Sequence, residues 1–163
     1  MKFRHKLGSI ALILFFAVYA FDTTEAAPSS APYQAYRYTH CGPLNGPLVD
    51  CLINFPTVGV NRRIELSHIS CYVQGGGILS LDFVEIIVVS AQGLPLAAVT
   101  LQVTQTGETG NSDPMNVTRS FSALAGASIY SAAGTHFQAD ARSLRGFISM
   151  LACNLDGRSL TLH

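Results

Sequence analysis

The sequence predicts an all-β protein: an antiparallel two-sheet sandwich, jelly-roll-like, after an N-terminal signal helix. Three observations lead there. Apolar and polar residues alternate with a period of two along several segments, the pattern of a half-buried strand. Those segments recur at roughly ten-residue intervals between Gly, Asn and Asp turns, as in sandwiches and barrels. Beyond residue 26 no segment carries a sustained helical stripe with capping residues; the Ala-rich stretch 121–133 is broken by glycine and serine.

The chain opens "MKFRHKLGSIALILFFAVYAFDTTEAAPSS". Lys2, Arg4 and Lys6 precede an apolar run over residues 7–21, and small residues stand at Thr24 and Ala26. This predicts a secretory signal peptide over residues 1–26, cleaved after Ala26. The run is shorter than the roughly 20 residues that span a bilayer. No membrane span is expected once it is removed. Residues 27–35, rich in Pro and Ser, read as a flexible lead-in, and residues 36–163 as a single β-sandwich domain. The expected location is secreted or periplasmic.

The strands follow in order. "AYRYTHC" and "LVDCLINF" flank the turn signal Asn45-Gly46. In "RRIELSHISCYVQ" the apolar parity flips near Ser67-His68, which predicts a β-bulge. Gly75-Gly76-Gly77 reads as a hairpin tip leading into "ILSLDFVEIIVVS". It is not a phosphate cradle, because no helix pattern and no Walker lysine follow it. "AAVTLQVTQT" and "MNVTRSFSAL" alternate on either side of the polar loop "GETGNSDP". "IYSAAGTHFQADARS" is a weaker strand–loop–strand, "RGFISMLACNL" a final core strand, and "DGR" a hairpin turn before "SLTLH". Eight to nine strands result.

Four cysteines, Cys41, Cys51, Cys71 and Cys153, lie beyond the leader. An even number in an exported chain implies two disulfides. The pairing expected is Cys41–Cys51, across the Asn45-Gly46 turn, and Cys71–Cys153, across the core. In the chain-entropy account the short loop contributes about 2.7 kcal/mol and the long one about 4.5 kcal/mol. A zinc site would need close Cys pairs, and the sequence contains no Cys-x-x-Cys. "RRIELSHISCYV" with the late "RGFISMLACNLDG" resembles small exported bacterial β-sandwich proteins of unknown function, over Arg62 to Gly157. The resemblance implies a fold and an exported location, and carries no functional residues.

Composition narrows the function. Loss of residues 1–26 leaves seven arginines, no lysine and eight acids. Such a near-neutral chain lacks the basic patch that nucleic acid requires. It also lacks any lysine for Schiff-base chemistry. No Gly-x-Ser-x-Gly elbow is present. His40, His68, His136 and His163 read as structural or surface residues, and no catalytic, cofactor or metal residue is assigned. Asp82 and Glu85 fall on opposite strand faces, so they do not form a catalytic pair; Asp82 is expected to pair with Arg63 or Arg119. Asn116-Val117-Thr118 is a glycosylation sequon.

The function expected is therefore that of a non-enzymatic binding or interaction module with no cofactor. Its partner would be a glycan or a protein, met through loops Thr106 to Pro114 and Ser131 to Arg142. Arg119 and Tyr130 on one concave face would favour a sugar groove. The alternatives are an exported hydrolase using His136, Asp140 and a nearby serine, and a structural or assembly subunit.

Overall fold

The computed structural model describes residues 29–41, 49–110, 117–126 and 128–162. They contain eight strands and no helix: β1 (Ser30–His40), β2 (Val49–Asn54), β3 (Arg62–Val89), β4 (Pro95–Thr100), β5 (Gln102–Thr109), β6 (Thr118–Ala125), β7 (Ile129–Ala132) and β8 (His136–Thr161). All eight join one antiparallel sheet. The signal-peptide reading of residues 1–26, the Asn45-Gly46 turn, Asn116 of the sequon and His163 lie outside the described residues.

The axis of the fold is the β3–β8 ladder, which runs from Arg62 opposite Thr161 to Val89 opposite His136. β8 carries β1 along its C-terminal half and β2 along its N-terminal half. On its other edge β3 carries β7, then β6, then β4, and β5 continues outward from β6. Straight, the β3 segment from the β7 partners to the β4 partners would span about 70 Å. Yet β4 and β7 form two walls of one groove. The ladder therefore curls back on itself. Ile64, Leu66, Ile69, Cys71 and Val73 of its first half share one apolar core with Val84, Ile86 and Val88 of its second.

The curl has a local cause. Register slips between Gln74 and Gly75, Gly76 and Ser80, and Leu81 and Phe83. Gly77 and Gly146 adopt φ of 70° and 74°, the left-handed region that favours glycine. Gly75 and Gly76 lie under Phe147, whose backbone and ring occupy the space a Cβ would need. The three glycines are thus a corner inside one long strand. The expected hairpin tip is absent because β8, rather than the next part of the chain, partners both sides of the glycines. The "DGR" turn is likewise absent: Asp156 to Arg158 stay paired with His68, Leu66 and Glu65 inside β8. By contrast, the bulge expected at Ser67-His68 is present, since register slips between Leu66 and His68. It restores Ile69, Cys71 and Val73 to the buried face.

"AAVTLQVTQT" divides at Leu101. β4 pairs with β3 and β5 pairs with β6, while Leu101 is buried and donates its N–H to Val84 O. Both disulfides form as expected. Cys41 joins Cys51 with Cα atoms 5.8 Å apart, and Cys71 joins Cys153 with Cα atoms 4.1 Å apart. The first spans the β8 corner, tying the end of β1 to β2 where β8 changes partner.

Candidate functional site

Strand alternation decides what the first half of the sheet shows to solvent. With Ile69, Cys71, Val73, Leu151, Cys153 and Leu155 buried, the residues between them face outward. One cross-strand row reads Tyr38, Ala152, Tyr72, Ser122 and Thr104; the next reads Tyr36, Asn154, Ser70, Leu124 and Gln102. A third reads His40, Met150, Gln74 and Ser120. No Asp, Glu or Arg stands in these rows. Tyr36 and Tyr38 are 63% and 60% exposed. Their rings lie 6.3 Å apart, tilted by only 35°, and His40 meets Tyr38 edge-on at 5.9 Å.

Tyr72 is held differently. Its hydroxyl donates to Ser120 Oγ at 2.8 Å, which draws the ring across the sheet surface toward β6. Tyr38 and Tyr72 stand on either side of Ala152, and two strand spacings separate their backbones by about 9.6 Å. The small alanine leaves the floor between them low. Tyr36, Tyr72, Leu124, Met150, Ala152 and Asn154 help line an open groove of about 340 Å³.

The second half of the sheet carries a separate group of ionisable residues. Leu52, Asp140, Glu85 and Thr100 form one row across four strands. In the neighbouring row Arg142 binds Asp50 through Nε at 2.7 Å and Nη2 at 3.3 Å, with its guanidinium 5.0 Å from the Phe83 ring centre. Thr100 donates to Glu85 Oε1 at 2.9 Å. Asp140 Oδ1 is shut off from solvent and has no hydrogen-bond partner. Burial pushes the Asp140 carboxyl above the ordinary carboxylate range; Asp50 and Glu85 add to the rise, and Arg142 opposes it. The same pairing with Asp50 raises the Arg142 guanidinium, so Arg142 is committed to Asp50 rather than to Asp140.

The residues singled out in the sequence are dispersed. His136 and Asp140 are four apart on one strand, which separates them by about 13 Å, far beyond hydrogen-bond reach. Arg63 pairs with Glu65 at 3.2 Å and lies 4.0 Å from the Tyr130 ring centre, while Arg119 pairs with Glu108 at 3.2 Å. Neither is the partner of Asp82. Arg119 has the parity of buried Phe121 and reaches Leu79 O, whereas Tyr130 is on the outer face beside buried Ile129 and Ser131. They do not flank one groove. Residues 106–109 of the expected polar loop are strand, part of β5. Among the described residues no group of His, Cys, Asp and Glu is arranged to hold a metal. No helix among them is long and apolar enough to cross a membrane.

Tyr36, Tyr38 and Tyr72 were not singled out by sequence. The signal was present in "AYRYTH", where two tyrosines share a strand face. Period two alone does not say which face is buried.

No protein-family model matches the chain, and no curated protein matches it. Among solved structures it is similar to the tripod (BppUct-A-L) from the baseplate of bacteriophage Tuc2009. The identity is 16% and the TM-score 0.24, over 100% of this chain and 78% of that one. A likeness of that size carries no argument about fold or partners.

Proposed function

We propose that this chain is an exported, disulfide-bonded binding module without catalytic activity, and that its contact surface is the tyrosine-bearing outer face of β1, β8 and β3. The observation that carries this reading is the exposure of three tyrosines in cross-strand rows that contain no Asp, Glu or Arg. Tyr36 and Tyr38 are more than half exposed, and Tyr72 is 38% exposed. Tyrosine gives large, stiff contact area with a polar tip, the chemistry of recognition surfaces. The two disulfides favour an oxidising compartment, secreted or periplasmic, consistent with a leader over residues 1–26. In this reading the two halves of the curled sheet serve as the layers of a jelly-roll-like sandwich, within a single domain over residues 36–163.

The test is a binding panel of extracellular polymers and of the protein itself, comparing the native chain with Tyr36→Ser/Tyr38→Ser/Tyr72→Ser. The native chain is expected to bind one member and the variant none, at equal melting temperature. A variant that binds as the native chain does would remove the tyrosine face from the function. The hydrolase reading loses support with the roughly 13 Å between His136 and Asp140.

A further inference from the structure

We infer that the occupant of the tyrosine face is a neutral carbohydrate chain, with sugar rings stacked on Tyr38 and Tyr72 across Ala152 and with Tyr36 extending the platform along β1. This rests on the reading that the tyrosine face is the binding surface. A pyranose presents a flat C–H face bordered by hydroxyls. The C–H face suits an aromatic ring, and the hydroxyls need small neutral donors and acceptors close by.

The face supplies both. Tyr38 and Tyr72 are partners in one cross-strand row with only Ala152 between them. Their backbone separation of about 9.6 Å is close to the length of a disaccharide unit. Ser70, Ser122 and Asn154 line one groove with Tyr36 and Tyr72 as hydroxyl and amide groups. Tyr72 is tied to Ser120 at 2.8 Å, so its ring is oriented before a ligand arrives and loses little freedom on binding.

Charge argues against the other polymers. The three rows contain no Asp, Glu or Arg; the anion Asp156 at their border accepts from Asn154 Nδ2 at 2.7 Å, and Arg37 stands exposed between Tyr36 and Tyr38 on β1, lining a recess with them. An acidic glycan or a nucleic acid would meet repulsion from Asp156, and a single arginine at the β1 edge, Arg37, falls short of the basic patch a polyanion requires. An apolar peptide would leave the Ser70 and Ser122 hydroxyls without partners.

Native gels containing laminarin, hydroxyethylcellulose or galactomannan, with a polygalacturonate gel as the acidic counterpart, test this on the full chain. At least one neutral gel is expected to retard the native protein. Tyr38→Ala and Tyr72→Ala are each expected to weaken that retardation about tenfold, equivalent to about 1.4 kcal/mol. Tyr72→Phe keeps the ring and retains most of the binding. Unchanged melting temperatures and disulfide maps separate this loss from misfolding. Retardation by polygalacturonate alone, or by no gel, overturns the carbohydrate inference. Sedimentation velocity distinguishes what falls with it. A dimer lost in Tyr38→Ala/Tyr72→Ala makes a second copy the occupant and leaves the face as the binding surface. Neutral-gel retardation undiminished in both variants overturns the inference and the face together.

Discussion

Cys71 and Cys153 stand directly opposite one another on β3 and β8, with Cα atoms 4.1 Å apart. Their bridge lies inside the buried face, 4% and 1% exposed, and locks the register of the central ladder on the side of the bulge that bears the tyrosines. It closes a loop of 82 residues, whereas Cys41–Cys51 closes one of 10. On chain entropy, Cys71→Ala/Cys153→Ala should cost about 4.5 kcal/mol and Cys41→Ala/Cys51→Ala about 2.7 kcal/mol. Urea unfolding of both double variants checks the order. The reverse order would contradict the placement of the long bridge at the centre of the fold.

The corner where the ladder turns should be intolerant of side chains. A Cβ on Gly146 would lie 2.6 Å from Gly76 O and 2.7 Å from Leu79 N, at a φ of 74°. Gly93 has a similar φ of 80° with open space around it. Gly93→Ala should therefore cost about 1 kcal/mol, the backbone term alone. Gly146→Ala should cost more than about 3 kcal/mol, because backbone rather than a flexible side chain must move. Thermal denaturation of the two variants side by side measures the difference.

Asp140 predicts a pH dependence of stability. Its folded pKa is raised, chiefly by burial and next by Asp50. Between its unfolded and folded values the native state holds more protons than the unfolded chain. Its contribution is therefore complete below the unfolded value near pH 4 and is lost as pH rises through the folded value. Asp140→Asn cannot ionise. Relative to the native protein it should gain stability on going from about pH 3.5 to pH 7. Melting curves at the two pH values check the sign; an equal offset at both would exclude Asp140 as the titrating group.

Burial should rank the leucines. Leu66, 1% exposed beside the bulge, should cost about 2–5 kcal/mol on truncation to alanine. Leu96, 60% exposed on β4, should cost no more than about 0.5 kcal/mol. Similar losses at the two sites would mean that β4 is covered in solution, since the groove it forms with β7 is open here.

Much of this was legible in the sequence because strand faces follow from parity. The bulge at Ser67-His68 was readable for that reason, since one inserted residue flips every apolar position after it. The disulfide pairing was readable from a short turn and from two cysteines in apolar strands. The glycines misled, because a turn and a corner use the same residue for the same positive φ. Only the partner on the far side distinguishes them, and for Gly75 and Gly76 that partner is Phe147, more than 70 positions away. Tyr36 and Tyr38 were unremarked for a related reason: alternation marks two faces and does not label the one in water.

By itself the sequence determined the all-β class, the antiparallel strand pattern, the bulge and the two cysteine pairs, all set by local alternation, turn chemistry and cysteine placement. The tertiary structure decided three further things. One pair of long strands carries the whole sheet, a glycine corner curls it, and Tyr38 and Tyr72 meet on either side of Ala152. Each depends on hydrogen bonds between residues distant in sequence, where register and burial are properties of the assembled sheet and of no single segment.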